Sequence, residues 1–407
     1  MRCVDCAVMR VCFRRFRLRQ VIWAVTGICF FLSLWIVLPG PNLFFLRLAV
    51  GAPEISPLLG LVSAIALFFA LVKLTRRGFT TYRKPPKALI GLLLVTLLLC
   101  SLPLLQQPRA VAAANRSMAI AFGPNQQPAS VKAFSWLTLF QGFPEQAVRQ
   151  RQNIPYETPA GVPLKLDLYQ PLQPGRYPAV VAVYGGSWMR GAPAESEAMG
   201  RFLAARGYVV AALDYRHAPE YRFPAQLEDV AAGLAFVREQ AEDFEIERDR
   251  IALLGWSAGA HLAMLAGFQA AEPVQSIVDF YGPVDLFNGY YDIPQPDPVD
   301  VRQVLRAFIG GTPEEFPEAY KAASPLTYVE AAEPNSLPTT LLIYGGRDHL
   351  VEARFGRSLY EALIEGDNRA VWVKIPWAEH AFDKIFNGVS NQMALHFVER
   401  FLAQTLN

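Results

Sequence analysis

The sequence predicts two classes of structure in one chain: three membrane-crossing helices, then an α/β domain on a mostly parallel central sheet. Three observations carry this. Apolar residues make up 52% and charged residues only 18%, below the roughly 25% charge of a soluble domain. The charge is also split: residues 1–110 hold 14 Lys and Arg against 2 Asp and Glu, a net of +12, while the remainder nets −10. Beyond residue 145, short apolar runs alternate with helical stretches. The acidic larger part excludes nucleic acid as its partner, because phosphate binding needs a basic face. With 27 Phe, 15 Tyr and 7 Trp, the chain has ample core and is not disordered.

The first elements are three uncharged 18-residue runs, Val21–Leu38, Ile55–Val72 and Ala88–Leu105. A helix of that length spans about 27 Å, close to the ~30 Å hydrocarbon core. Basic residues precede the first run (Arg2, Arg10, Arg14, Arg15, Arg17, Arg19) and separate the second from the third (Lys73, Arg76, Arg77, Arg83, Lys84, Lys87). The positive-inside rule then places the N-terminus in the cytoplasm and everything after residue 105 on the far side, in a periplasm or equivalent lumen. No ionisable residue lies inside a run, so the spans read as an anchor rather than a transport path. The five cysteines, Cys3, Cys6, Cys12, Cys29 and Cys100, all fall early. The Cys3-x-x-Cys6 pair has no second pair to complete a metal site and reads as a reduced tail. Residues 106–145 read as a Pro/Gln/Ala-rich linker, its apolar cluster (Phe134, Trp136, Leu137, Leu139, Phe140, Phe143) packing on the next domain or lying in the membrane interface.

The α/β domain is expected over 146–407. A hairpin over Val148–Leu168 turns at Thr158–Gly161. Buried strands follow at Pro178–Tyr184, Tyr208–Leu213, Ile251–Leu254, Ser276–Tyr281, Thr339–Tyr344 and Ala370–Ile375, with helices such as Pro224–Gln240 and Ala258–Ala270 between them. Strands rich in Val, Ile, Leu and Ala without strict alternation are buried on both faces, as in a parallel sheet. About 260 residues make one core. The stretch 287–323, with Tyr290, Tyr291, Ile293 and Phe308, interrupts this order and is expected to cap the site.

Strand Ile251–Leu254 runs straight into Gly255-Trp256-Ser257-Ala258-Gly259 and then a helix. This G-x-S-x-G, in its strand–turn–helix setting, presents Ser257 as a nucleophile at the sheet's end. A serine hydroxyl needs a base and a group to orient that base. Of five histidines, His217, His261, His349, His380 and His396, His380 lies in the loop directly after the last strand, where the order Ser, acid, His puts the base, while His396 falls in the final amphipathic helix. Asp348, after the preceding strand, is the matching acid. His349 is next to that acid, a poor geometry for the base; Glu379 and Asp383 are fallback acids. Backbone N–H groups of Gly186, Ser187 and Ala258 are the expected oxyanion donors. Trp188 and Trp256 are candidate walls of a substrate pocket.

These residues carry a resemblance. Asp214-Tyr215-Arg216-His217-Ala218-Pro219-Glu220 with Phe223-Pro224-Ala225 resembles the D-Y-R-L-A-P-E…F-P-A segment of hormone-sensitive-lipase-like esterases. Ser257-Ala258-Gly259-Ala260-His261-Leu262-Ala263 is similar to the S-A-G-G-H-L-A of carboxylesterases of the feruloyl/acetyl-esterase-like group. Gly282-Pro283-Val284-Asp285-Leu286 and Ser324-Pro325 match further landmarks. The likeness covers roughly 150–405 and implies an α/β-hydrolase fold with Ser257, Asp348 and His380 as triad. Two departures stand out: Tyr184 replaces the His of H-G-G, and Ser187 occupies its third glycine position.

The expected function is therefore membrane-anchored hydrolysis of a carboxylic ester through an acyl-enzyme. The expected partners are a small-molecule, lipid or glycan ester and the lipid bilayer, with no metal or organic cofactor. Cleavage of peptides or amides on the same machinery, and a non-catalytic binding module, are the alternatives.

Overall fold

The computed structural model describes residues 20–75, 87–124, 127–158 and 160–406, and the chain divides into two compact units between Gln107 and Pro108. The basic residues before the first apolar run, Arg76, Arg77, Arg83 and Lys84, the early cysteines Cys3, Cys6 and Cys12, and Pro159 of the expected turn lie outside the described residues.

The first unit differs from three simple spans. Its first helix is Gln20–Leu34, shorter than the expected run, because the Trp35–Val37 turn leads into Pro39-Gly40. Asn42 then caps Leu43–Glu54, its side chain accepting from the N–H of Phe44 and Phe45. That helix meets Ser56–Thr75 at a 73° bend. Pro57 has no N–H to continue the ladder, which accounts for the break. Glu54 and Ser56 are buried at the bend, so an ionisable group does adjoin the second run. Trp35 stacks on Phe45 at 4.5 Å, beside buried Cys29, Ile36, Ala49, Ala52, Leu59 and Cys100.

The third run is part of a 36-residue helix, Lys87–Phe122, which corrects the expected linker: helix continues to residue 122. Gly123, at φ +79°, ends it. From Pro108 onward this helix belongs to the second unit. Ala110, Ala114, Ser117 and Met118 are buried at the three-to-four spacing of one helix face. Ser117 Oγ accepts from Trp372 N–H at 2.8 Å, and Phe122 meets Phe401 edge-on at 5.9 Å. Among the described residues, this is the one helix long and apolar enough to cross a membrane; the bent pair Leu43–Glu54 and Ser56–Val72 qualifies only if it counts as a single span.

The second unit is built on eight strands: β1 (Arg149–Glu157), β2 (Pro163–Gln170), β3 (Tyr177–Val183), β4 (Val209–Leu213), β5 (Ile246–Trp256), β6 (Ser276–Phe280), β7 (Thr339–Gly345) and β8 (Ala370–Ile375). They form one sheet in the order β1-β2-β4-β3-β5-β6-β7-β8. The hairpin β1–β2 and the β2–β4 pair are antiparallel and the rest parallel. Strands β4 and β6 are buried along their whole length, as both-faced burial requires. The register sets Val183 against Gly255 and Gly345 against Ile375. The loops leaving β3, β5, β7 and β8 therefore start from one edge of the sheet, where open α/β sheets place their sites. Between β6 and β7 the chain makes four short helices, Leu286–Tyr291, Val301–Ile309, Pro317–Ala322 and Pro325–Glu330.

Candidate active site

Strand β5 passes through Ser257 into the helix Ala258–Phe268. Ser257 holds φ 51°, ψ −119°, a sparsely populated backbone conformation that costs of order 1–3 kcal/mol and persists only where its surroundings enforce it. The enforcement is visible at the flanking glycines. A Cβ on Gly259 would lie 2.1 Å from the carbonyl oxygen of Val183, and one on Gly255 2.5 Å from the backbone of Gly259 and Ala260. Ser257 N–H is anchored on Phe280 O at 2.8 Å. The half-buried side chain is thus aimed by backbone that has no alternative path.

Three of the residues read from the sequence meet here. His380 Nε2 lies 3.0 Å from Ser257 Oγ, and His380 Nδ1 lies 2.7 Å from Asp348 Oδ2. Asp348 Oδ1 also accepts from the N–H of Leu350 and Val351 at 2.8 and 2.7 Å, which fixes the carboxylate. Burial opposes charge on the His380 ring, yet the Asp348 carboxylate, its hydrogen bond, and Glu379 and Asp383 nearby hold its pKa above 6.5. The Tyr281 ring packs on the imidazole at 4.5 Å, and its hydroxyl donates to Asp383.

The loop after β3 carries Gly186, Ser187 and Trp188. Ser187 and Trp188 both adopt positive φ, 57° and 58°, so serine takes the left-handed backbone conformation that glycine would adopt freely. The loop's root is held from below. Tyr184 Oη donates to Asp214 Oδ1 at 2.5 Å and lies 2.9 Å from His217 Nε2. Its ring stacks on Tyr215 at 4.5 Å, and Tyr215 Oη donates back to Tyr184 O at 3.2 Å. Arg216 pairs with buried Asp229 at 2.8 Å. The Asp214-Tyr215-Arg216 segment is thus scaffolding for the loop after β3.

Trp188, expected as a pocket wall, is 3% exposed. Its ring stacks on Phe308 at 4.2 Å and its Nε1–H donates to His261 Nδ1 at 3.2 Å, so packing occupies it. His261 Nε2, the proton-bearing nitrogen in that tautomer, donates to Ala323 O at 2.6 Å. Burial pushes His261 down to about 4, keeping it neutral. One imidazole thereby ties the loop after β3, the Ser257 helix and the segment between β6 and β7. The indole N–H of Trp256 is buried without a hydrogen-bond partner among the described residues. His349 and Glu379 bond to each other at 2.6 Å, and His396 Nδ1 lies 2.8 Å from Val131 O. The sequence did not disclose the Tyr184–His217 and His349–Glu379 links. The signal for the first was the paired departure at positions 184 and 217 from H-G-G and D-Y-R-L-A-P-E. Among the described residues no group of His, Cys, Asp and Glu is arranged to hold a metal.

An eight-stranded, mostly parallel sheet with a strained serine between β5 and its following helix defines the α/β-hydrolase fold. Comparison with known proteins agrees. The family BD-FAE matches residues 166–363. The chain is 31% identical over 243 residues to the esterase LipC of Mycobacterium tuberculosis, covering 56% of this chain and 58% of that protein. It is 30% identical over 270 residues to the esterase LipQ of the same organism, covering 62% of each. The isoprenylcysteine alpha-carbonyl methylesterase ICME of Arabidopsis thaliana is 30% identical over 216 residues, 49% of each chain. The chain thus spans less than two thirds of the length of these relatives. Among solved structures, a bacterial heroin esterase superposes with TM-score 0.56 at 22% identity, over 64% of this chain and 84% of that one. The thermophilic carboxylesterase EstE1 from a metagenomic library gives 0.55 at 23%, over 75% and 98%. Those two likenesses are of fold. The second unit is an α/β-hydrolase domain similar to carboxylesterases of the hormone-sensitive-lipase-like kind.

Proposed function

We propose that this chain is a membrane-anchored serine esterase. The observation that carries the reading is the unbroken line Ser257 Oγ, His380 Nε2, His380 Nδ1, Asp348 Oδ2, at 3.0 and 2.7 Å. Ser257 Oγ attacks the ester carbonyl carbon while His380 Nε2 takes its proton. The tetrahedral oxyanion is met by the N–H groups of Gly186, Ser187 and Ala258, none of which donates to another group among the described residues. As the C–O bond breaks, the proton passes from His380 to the leaving alkoxide. Water repeats the sequence on the acyl-serine, releasing the acid and restoring Ser257. Asp348 holds the imidazole in one tautomer and stabilises its charged form.

The anchor reading is supported by the apolar helix Lys87–Phe122 and the bent pair before it. The basic residues around the first and third runs favour a cytoplasmic N-terminus and an extracytoplasmic catalytic domain. The substrate is a small-molecule, lipid or glycan ester; Trp256 and the segment 287–323 are candidate pocket walls and cap. The test is hydrolysis of p-nitrophenyl esters from C2 to C16 by the full chain in detergent or nanodiscs, beside Ser257→Ala. Loss of at least about 10⁴-fold in kcat with Ser257→Ala is expected. Retained activity would overturn the assignment.

A further inference from the structure

Strands β7 and β8 are hydrogen-bonded neighbours, and the loop that follows each carries an acid and then a histidine: Asp348-His349 and Glu379-His380. The two dipeptides exchange partners. Asp348 Oδ2 bonds His380 Nδ1 at 2.7 Å, while Glu379 Oε2 bonds His349 Nδ1 at 2.6 Å. Each carboxylate uses its second oxygen on two backbone N–H groups. Glu379 Oε1 accepts from His349 N–H at 2.7 Å and from His380 N–H at 3.0 Å. Glu379 therefore grips the backbone of the proposed base and ties it to the loop that carries its acid. It is 2% exposed, and a buried carboxylate is retained only when its lone pairs are met. The proposed reaction uses the Asp348–His380 pair and leaves this second pair without a task.

We propose that the Glu379–His349 pair positions His380 and sets the charge balance around it, an inference that rests on reading His380 as the base. The Glu379 carboxylate favours the imidazolium that forms as Ser257 attacks. A proton on His349 offsets that field. The groups facing His380 are Asp348, Glu379 and Asp383, with the Tyr281 ring against it; those facing His349 are Glu379, Arg347 and Asp348. His349 is half-buried, and its bond to Glu379, against partial burial, holds its pKa above 6.5. The counter-charge is therefore present below that raised value and fades as pH climbs through it.

The two partners make opposite predictions. In Glu379→Gln the amide oxygen still accepts both backbone N–H groups, so the loop keeps its path while the charge is lost. The acid limb of the kcat/KM profile moves to lower pH by about one unit, and kcat falls about tenfold. In His349→Gln the carboxylate keeps a donor and loses its counter-cation, and the limb moves to higher pH. Glu379→Ala, losing position as well as charge, costs about 100-fold in kcat. The low-field proton resonance of the His380–Asp348 bond is expected to shift in both glutamine variants. An unmoved limb in Glu379→Gln, or movement of both limbs in one direction, overturns the proposal. If Glu379→Gln does not fold, His349→Gln, at a partly exposed ring, carries the test alone. Failure of the esterase reading shows separately, as activity surviving Ser257→Ala.

Discussion

At the scale of the residue, the site depends on a few polar atoms that must each find one partner. The pKa of His380 is held above 6.5 against burial, chiefly by Asp348. A base must be neutral to accept a proton, so kcat/KM is expected to fall as pH drops through that raised value and to plateau above it. A pH–rate profile checks this, and a flat profile across pH 5–8 would contradict it. Tyr184 gives a second residue-scale test. Its hydroxyl supplies Asp214 with a donor directly beneath Gly185-Gly186. Tyr184→Phe leaves that carboxylate short of a partner, at a cost of about 1–3 kcal/mol in stability. It is expected to lower kcat more than it changes KM, because the loop that would hold the oxyanion loses its support; steady-state kinetics and thermal unfolding separate the two effects.

At the scale of the element, β6 and the long helix carry the informative features. Asp279 on β6 is buried, with Gly282 N–H donating to Oδ1 at 2.6 Å and Tyr344 Oη at 2.7 Å from Oδ2. Tyr344 Oη is also 2.5 Å from Gly282 O, but a phenol has one proton. A protonated Asp279 resolves the conflict, donating to Tyr344 Oη while Tyr344 donates to Gly282 O. Burial raising Asp279 to about 7 fits that arrangement. Between pH 4 and 6.5 the folded state then holds a proton on Asp279 that the unfolded state lacks. His261, at about 4 when folded, does the reverse over the same window: its unfolded form binds the extra proton. The first effect lowers stability as pH rises, the second raises it, and they offset one another. Asp279→Asn keeps the donor pattern and removes the first effect. Stability of that variant is expected to fall more steeply than wild type between pH 6.5 and 4, by up to about 1.4 kcal/mol per pH unit; chemical denaturation at several pH values measures it. The helix Lys87–Phe122 gives a packing test. Met118 is fully buried, so Met118→Ala is expected to cost about 2–5 kcal/mol, read in the melting of the second unit. No change would mean that the helix extension does not pack there in solution.

At the scale of the whole molecule, the anchor reading predicts that the full chain stays with membranes after alkaline carbonate extraction and that residues beyond 123 are protected from protease on the cytoplasmic side. Release into the wash would contradict it. The hydrolase domain was legible because its signals are local. Buried parallel strands read as continuous apolar runs, and G-x-S-x-G could be placed on a strand–turn–helix because its strand and helix flank it in sequence. The order Ser257, Asp348, His380 was legible because successive strand ends bring successive loops to one edge. The first unit was less so. Counting uncharged residues finds apolar runs, but it does not register Pro57 breaking a helix or the Gln/Ala stretch after Leu105 continuing one, since helix propensity and hydropathy are separate properties. Local signals along the chain specify the sheet, the elbow and the three residues that meet at it. Which polar group each side chain bonds is set by packing in three dimensions: Trp188 to His261 rather than to a pocket, Tyr184 to Asp214 and His217, Glu379 to His349. Those pairings span 30 or more positions along the chain, and a contact between distant residues follows from how strands are ordered and packed, which no local pattern encodes.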